Sequence, residues 1–145
     1  MTASPYSIGP DESLETAHGM MRRYQVRHLP VLEYGNLVGI VSQRDLYLIE
    51  SLPGVIVRDT RVQEAMSEDA YCVQPDAWLD DVAREMADKK YGCAVVMKGT
   101  DVRGIFTTTD ALLALSKLLR ARDAEAHRTS CAVAQAVRVS NDEGQ

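Results

Sequence analysis

Cysteine and the large aromatic residues are scarce in this 145-residue sequence, which has three cysteines, one tryptophan and one phenylalanine. Cys72, Cys93 and Cys131 are an odd and widely spaced set, which argues against a disulfide framework and suits a reducing compartment. No apolar run approaches the length that crosses a bilayer. Residues 1–5 contain neither the basic nor the apolar stretch of an export signal. These absences predict a cytoplasmic protein with no membrane partner.

Positive charge is also in short supply. Lysine and arginine number 16 against 21 acidic residues, and the net charge is −5 at pH 7. Nucleic-acid binding usually requires a clustered basic surface, so no nucleic-acid partner is expected. Hydrophobic residues make up 46% of the chain, which is ordinary for a folded protein of one compact unit or two small lobes.

The sequence contains an internal repeat. A shift of 65 residues aligns residues 6–46 with residues 71–111 without a gap, and nine of the 41 positions are identical. The identical pairs are Tyr6/Tyr71, Pro10/Pro75, Asp11/Asp76, Leu14/Leu79, Met21/Met86, Val31/Val96, Gly39/Gly104, Ile40/Ile105 and Asp45/Asp110. This pattern predicts two copies of one supersecondary unit.

Each copy has the residue pattern of a short strand, a helix, a β-hairpin and a second helix. Ser42 and Thr107 are suited to cap the second helices, since Asp45 and Asp110 follow three residues later as in a capping box. The predicted fold class is therefore α+β, with two βαββα repeats that form one pseudo-two-fold module.

The expected domain limits follow from the repeat and from Pro53-Gly54, which should break the first copy's last helix. The first repeat covers residues 1–52, a linker covers 53–61, the second repeat covers 62–120, and a helical extension and tail cover 121–145. A leucine-rich helix face is predicted within residues 111–126. That face either closes the core or forms a dimer contact, and the sequence leaves both roles open.

Each copy resembles a cystathionine-β-synthase (CBS) domain. The motif that carries the resemblance is Gly-apolar-apolar-(Ser/Thr)-x-x-Asp, found here at residues 39–45 and 104–110. An apolar residue two positions before Pro10 or Pro75, and the Leu-Pro-Val stretch at residues 29–31, are further marks of the family. The resemblance covers roughly residues 6–120.

The resemblance implies a ligand-sensing module with two clefts between its sheets and no chemistry of its own. Many such pairs bind AMP, ADP or ATP, and others bind NAD-like ligands or S-adenosylmethionine. They commonly form homodimers and regulate an attached or partner protein. We therefore expect an adenine nucleotide as regulatory ligand, no catalytic cofactor, a homodimer and an unidentified regulated protein.

Four side chains at the helix starts are candidate ligand contacts. Asp45 and Asp110 could accept hydrogen bonds from ribose hydroxyls, although each could equally do no more than complete a capping box. Ser42 and Thr107 each offer a hydroxyl beside free backbone N–H groups, which suits a phosphate oxygen. Plain helix capping is the alternative role for both.

A positive cluster distinguishes the first copy from the second. Arg27, His28 and Arg44 could neutralise phosphates, or could be solvated surface charge. The equivalent residues of the second copy are Gly92, Cys93 and Thr109, so the first motif is the stronger phosphate candidate. Ile8, Leu29, Val73 and Ala94 are expected to form apolar walls or to belong to the core. The predicted ligand-binding set is Ile8, Arg27, His28, Leu29, Pro30, Ser42, Arg44, Asp45, Val73, Cys93, Ala94, Thr107, Thr109 and Asp110.

Other functional classes are less well supported by the sequence. Cys72 and Cys93 could be neighbours, but neither has a histidine in its own copy, and no metal-ligand or hydrolase motif is present. No enzyme and no metal site are therefore predicted. A ligand-free dimerisation scaffold with the same fold stays open as the alternative function.

Three further expectations concern packing. Gly39 and Gly104 should allow close approach of a helix or ligand. Trp78, the only tryptophan, is expected at a lobe or dimer contact, and Tyr6 and Tyr71 should pack equivalently in the two lobes.

Overall fold

Both repeats are present in the structure, a computed structural model that describes the backbone of residues 1–142 and the side chains of residues 1–125. The predicted α+β class with βαββα-type repeats is confirmed. The elements in chain order are β1 (Thr2–Ala3), α1 (Leu14–Tyr24), β2 (His28–Glu33), β3 (Asn36–Ser42), α2 (Gln43–Glu50), a 3-10 helix (Val62–Glu64), β4 (Cys72–Val73), α3 (Leu79–Lys89), β5 (Cys93–Lys98), β6 (Asp101–Thr107) and α4 (Thr108–Asp142).

Serine side chains cap the N-termini of the two helices of the first repeat. The Ser13 hydroxyl accepts a hydrogen bond from the Thr16 N–H at 3.1 Å, and Ser42 caps α2 in the same way. By contrast, α3 begins after Trp78, whose side chain makes no capping bond. The first N–H groups of a helix lack acceptors within the helix, and a serine hydroxyl can accept a hydrogen bond from one of them. The helices of the first repeat have this side-chain cap, and α3 does not.

Two antiparallel hairpins form the sheets. In the first repeat β2 pairs with β3, and the opening strand predicted near Ile8 is reduced to a single parallel bridge with Val31. In the second repeat β5 pairs with β6, and β4 pairs with β5 in parallel. Each hairpin is therefore extended at one edge by a short parallel pairing with the opening residues of its own repeat.

The lead-in of each repeat crosses to the sheet of the other. Thr2 in β1 pairs with Ile105 in β6, and Ser67 pairs with Ile40 in β3. The 65-residue shift relates these two pairings. The crossing therefore ties the repeats together through backbone hydrogen bonds at the sheet edges.

The repeated glycines make room for these crossings. A Cβ on Gly39 would lie 2.7 Å from the Ser67 carbonyl oxygen and 2.9 Å from the Met66 sulfur. A Cβ on Gly104 would lie 2.8 Å from the Met1 sulfur. The expectation that these glycines admit a helix or ligand is therefore wrong, because a crossing segment occupies the space.

Each repeat buries one face of its sheet against its first helix. The first repeat's core consists of Ile8, Leu14, Ala17, Met21, Leu29, Val31, Val41, Leu46 and Val62. Buried residues of the second repeat are Val82, Met86, Cys93, Ala94, Val95, Val96, Ile105 and Phe106. Tyr6 and Tyr71 each stack on a second tyrosine, Tyr24 or Tyr91, but these partners occupy non-equivalent positions in the two repeats, so the predicted equivalent packing holds only in kind.

The chain divides into two units, Met1–Thr108 and Thr109–Gln145. In the second unit the backbone of α4 stays helical to Asp142, well beyond the leucine-rich stretch predicted within residues 111–126. Cys131 lies outside the residues whose side chains are described. None of the helices within the described residues is long and apolar enough to span a bilayer.

Candidate functional site

The candidate site is centred on the junction of β3 and α2. Asp45 lies in the first turn of α2, and its Oδ2 accepts hydrogen bonds from the Ser42 N–H at 2.8 Å and from the Ser42 hydroxyl at 2.6 Å. The Asp45 N–H donates in return to the Ser42 Oγ at 3.3 Å. The capping box predicted from the sequence is confirmed. Among the described residues, no hydrogen bond reaches the second carboxylate oxygen, Oδ1.

His28 lies beside this capping box because β2 begins at His28 and pairs it with Ser42. Burial lowers the pKa of His28 below its ordinary value, the charge of Asp45 opposes that shift, and the charge of Arg27 adds to it. The imidazole is therefore favoured in its neutral form, which can both donate and accept a hydrogen bond.

The second repeat meets the first at His28. A Cβ on Gly92 would lie 2.6 Å from the His28 Nε2, so the imidazole occupies the space of a side chain at position 92. Cys93 is buried next to Gly92, and the charge of Asp45 acts on its thiol. His28, Asp45, Gly92 and Cys93 thus come together where the two repeats contact each other.

The two cysteines of the second repeat lie close enough to interact electrostatically. Burial raises the pKa of the Cys93 thiol to about 12, with smaller contributions from Asp45 and Cys72. Burial also raises the pKa of Cys72, which is the more exposed of the two. Both are free thiols, and a raised pKa suppresses the thiolate needed for nucleophilic chemistry.

The two arginines of the first motif are exposed to solvent. Arg44 is on the first turn of α2, and Arg27 precedes β2, where its carbonyl accepts a hydrogen bond from the Gln43 N–H. Both residues thus lie next to the capping box in the chain, with exposed side chains. At the equivalent place in the second repeat, Gly92 has no side chain.

The second motif is split between the two units. Thr107 ends β6 in the first unit, whereas Thr109 and Asp110 belong to the second unit, on the first turn of α4. Thr109 is exposed and Asp110 is partly buried.

Most of the predicted apolar residues belong to the core. Leu29 and Ala94 have no exposed surface, Pro30 is fully buried and Ile8 is 5% exposed. Val73 in β4 is partly buried and keeps some surface. Of this set, Val73 is the one whose side chain a ligand can reach.

Gly92 and Cys72 also lie at the site, as neighbours of His28 and Cys93, but the sequence pattern did not identify either of them as a candidate site residue. The alignment of the repeats presented Gly92 as a missing arginine, whereas the structure shows that His28 fills its space. The 65-residue alignment contained the signal that could have identified Gly92, since it aligns Arg27 with a residue that has no side chain. Within the described part of the chain, no three His, Cys, Asp or Glu side chains are grouped to hold a metal ion.

Comparison with known proteins identifies related sequences and structures. The CBS domain family model matches residues 1–50 and 62–117. The chain is 30% identical over 120 residues to an inosine-5'-monophosphate dehydrogenase of Korarchaeum cryptofilum, a match that covers 82% of this chain but 24% of that enzyme. It thus spans about a quarter of that relative.

Two solved structures share the fold over most of their length. A Vibrio cholerae protein described in connection with acetoin utilization (AcuB) has a TM-score of 0.75 and 31% identity, covering 85% of this chain and 91% of that one. CBSX2, solved in complex with AMP, has a TM-score of 0.71 and 25% identity, covering 81% and 93%.

Proposed function

The chain belongs to the CBS domain family, and we propose that it is a regulatory module that binds an adenosine-containing nucleotide, AMP, ADP or ATP, and signals to a partner protein. The first repeat's motif is the main binding site in this proposal. The observation that carries it is the arrangement at Asp45, whose Oδ2 is held by Ser42 while Oδ1 accepts no hydrogen bond from a described residue.

A ribose fits the chemistry of Asp45. The capping box fixes the orientation of the carboxylate, and a preoriented acceptor loses little entropy when it binds a hydroxyl pair. The Asp45 Oδ1 would accept the ribose hydroxyls, and the neutral His28 imidazole beside it would offer a further donor or acceptor.

The phosphates would be held by the exposed arginines. Arg27 and Arg44 can form bidentate hydrogen bonds to phosphate oxygens, and the start of α2 adds the positive end of a helix dipole. The second repeat lacks these arginines, so we propose that its motif binds nucleotide more weakly. Val73 would contact the flat base.

The comparisons support this proposal at the level of the family. CBSX2 has been solved with AMP, and its similarity covers most of both chains. We propose binding without catalysis for this chain, since the raised pKa values of Cys72 and Cys93 disfavour thiolate chemistry. The output would then be a shift between conformations, driven by differential affinity for them.

Thermal unfolding with a ligand panel tests the proposal. The chain is melted alone and with AMP, ADP, ATP, NAD or S-adenosylmethionine. A ligand at 100-fold above its dissociation constant should add about 2.7 kcal/mol to the free energy of unfolding. Stabilisation by an adenine nucleotide is the expected result, and a panel without any effect would exclude the nucleotide sensor.

Matched variants locate the site. Asp45→Asn keeps an oxygen for the cap but removes the carboxylate, so it should abolish most of the stabilisation by nucleotide, whereas Asp110→Asn should reduce it less. Arg44→Glu should weaken ATP binding more than AMP binding, since it acts on phosphate. Arg58→Glu, an exposed charge reversal in the linker, is the control and should have no effect. Equal effects of Asp45→Asn and Asp110→Asn would contradict the assignment to the first repeat.

A ligand-free interaction scaffold is the second candidate function. The observation that favours it is the burial of Leu29, Pro30 and Ala94, which leaves little apolar side-chain surface for a base. A melting panel with no stabilised member would support the scaffold.

We propose a second copy of the chain as the partner of the leucine-rich face of α4. Its members are Leu112, Leu113, Leu115, Leu118 and Leu119, each between 48% and 67% exposed. Residues 112, 115 and 119 follow the three-and-four spacing of a helix–helix seam. Sedimentation equilibrium should show a dimer, and Leu115→Glu should yield a monomer. A wild-type chain that sediments as a monomer would exclude this contact.

A further inference from the structure

The linker covers the start of α1 in the first repeat. The Leu14 N–H donates a hydrogen bond to the Thr60 carbonyl at 3.0 Å, and the Glu15 N–H donates to the Val57 carbonyl at 3.2 Å. In the other direction, the Val62 N–H donates to the Glu12 carbonyl at 2.8 Å. A stretch of polypeptide thus provides the hydrogen-bond partners that the first turn of a helix requires.

The same contact buries apolar side chains and has an exposed ion pair at its edge. Leu14 and Val62 have no exposed surface, and both belong to the first repeat's core. The Arg61 guanidinium donates to the Asp11 carbonyl and lies 4.0 Å from the Asp11 carboxylate. The contact therefore uses an arginine at the end of the linker, Arg61, and the apolar residue that follows it, Val62.

The second repeat has an equivalent surface at the start of α3. Pro75, Asp76 and Leu79 are identical to Pro10, Asp11 and Leu14, the residues that contact the linker in the first repeat or flank that contact. This surface, formed by residues 75–80, lies wholly within the first unit.

No segment with the linker's contacts covers this surface among the described residues. Leu79 is 46% exposed although its equivalent is fully buried, and Trp78 is 78% exposed. Of the two contacts expected for Trp78, the lobe contact is therefore wrong, and the dimer contact stays a prediction. The N–H groups of Leu79 and Asp80 make no hydrogen bond to a described residue. Deeper positions stay buried, as Val82 and Met86 show.

We propose that residues 75–80 dock a polypeptide segment of the linker's chemistry, a stretch in which an arginine is followed by an apolar residue, supplied by a partner protein. Its carbonyls accept hydrogen bonds from the Leu79 and Asp80 N–H groups, its arginine pairs with Asp76, and its apolar side chain covers Leu79. The carboxylates of Asp76, Asp80 and Asp81 favour a basic segment over an acidic one.

A synthetic peptide of residues 55–67 is the probe, and Trp78 reports its binding because it is the chain's sole tryptophan. The peptide is titrated into the full chain without nucleotide, so the result does not depend on the proposed nucleotide site. Because the chain's own linker is covalently attached, its effective concentration at the first repeat is high, and the added peptide competes poorly with it there. The peptide is therefore expected to bind at the second repeat. We expect a saturable blue shift of Trp78 emission with a dissociation constant below about 1 mM.

Variants of the chain and the peptide test the contacts. Leu79→Asp, at an exposed position, should weaken binding at least about tenfold, and Asp76→Asn should also weaken it. Leu48→Asp changes another exposed leucine, outside this surface, and should leave binding unchanged. A peptide with Arg61→Glu and Val62→Asp should not bind.

Three results would overturn the proposal. They are an absence of saturable change up to about 1 mM peptide, unaltered binding by the Leu79→Asp variant, and a Trp78 emission that depends on chain concentration but not on peptide. The last result would mean that a second copy covers the surface.

Discussion

The imidazole of His28 lies against the backbone of Gly92, so close that a Cβ at position 92 would be 2.6 Å from the His28 Nε2. This contact joins the first strand of one repeat's hairpin to the loop before the other's. It also accounts for one difference between the two motifs, because the place equivalent to Arg27 in the second repeat is filled by a side chain from the first.

The contact predicts a strong coupling between positions 28 and 92. Gly92→Ala should destabilise the chain by about 1–3 kcal/mol, since the added methyl group displaces a packed ring. In a His28→Ala background the same substitution should cost less than about 0.5 kcal/mol. Urea unfolding of the four chains in a double-mutant cycle measures the coupling, and additive costs would show that the ring does not occupy this space.

Stability should depend on the ionisation of His28. Burial lowers the pKa of His28 in the folded chain, so the unfolded chain binds the proton more readily. The free energy of unfolding should therefore fall as the pH drops below 6.5, the ordinary value, by up to about 1.4 kcal/mol per pH unit, until the folded-state pKa is reached. Urea unfolding between pH 5 and 8 should show a shallower pH dependence for His28→Gln than for the wild-type chain. Identical slopes would argue against a buried neutral imidazole.

The two crossing glycines should differ in their tolerance of a methyl group. Gly39→Ala places a Cβ against the backbone of Ser67 and should cost about 1–3 kcal/mol. Gly104→Ala first meets the flexible end of Met1, which can move, and should cost less.

Gly19 provides the matched control for these glycines. It lies inside α1, and a methyl group added there would have no atom within 4 Å beyond its chain neighbours and the backbone of its own helix, so Gly19→Ala should stabilise the chain by about 0.5–1 kcal/mol. Denaturant midpoints of the three variants rank them, and a Gly39→Ala variant as stable as wild type would contradict the crossing.

Cys93 should resist alkylation in the folded chain. With a thiol pKa of about 12 against 9.0 for the free group, its thiolate population falls about 1,000-fold. Iodoacetamide at pH 8 should label Cys72 before Cys93, as peptide mass mapping would show, and both at similar rates in urea. Faster labelling of Cys93 than of Cys72 in the folded chain would contradict its burial.

The order of helices and strands could be predicted because it depends on local signals. Ser42 and Asp45 form their capping box within a single turn, and apolar spacing places α1 and α3 on one face of each sheet. The opening strand predicted near Ile8 is shorter than expected. The length of a strand depends on pairing with a neighbouring strand, and here only one bridge, to Val31, forms among the described residues.

The composition of the site was only partly predictable. Ser42, Asp45 and His28 do come together, since β2 and β3 form one hairpin. For Leu29 and Ala94 the sequence left both a ligand wall and the core open, because alternation along a strand does not say which face meets a ligand, and the structure places both in the core.

Local chemistry and internal repetition thus account for the helices and strands of the two repeats, for the helix caps and for the motif that both repeats share. The crossing of the lead-ins, the room that Gly39 and Gly104 leave for them, and the contact of His28 with Gly92 depend on residues distant in sequence. Such contacts arise from close packing between the repeats, in which one side chain's volume excludes another's. For that reason two motifs that look equivalent along the chain differ in three dimensions: the first has Arg27, whereas His28 occupies the side-chain space at Gly92, the equivalent position of the second.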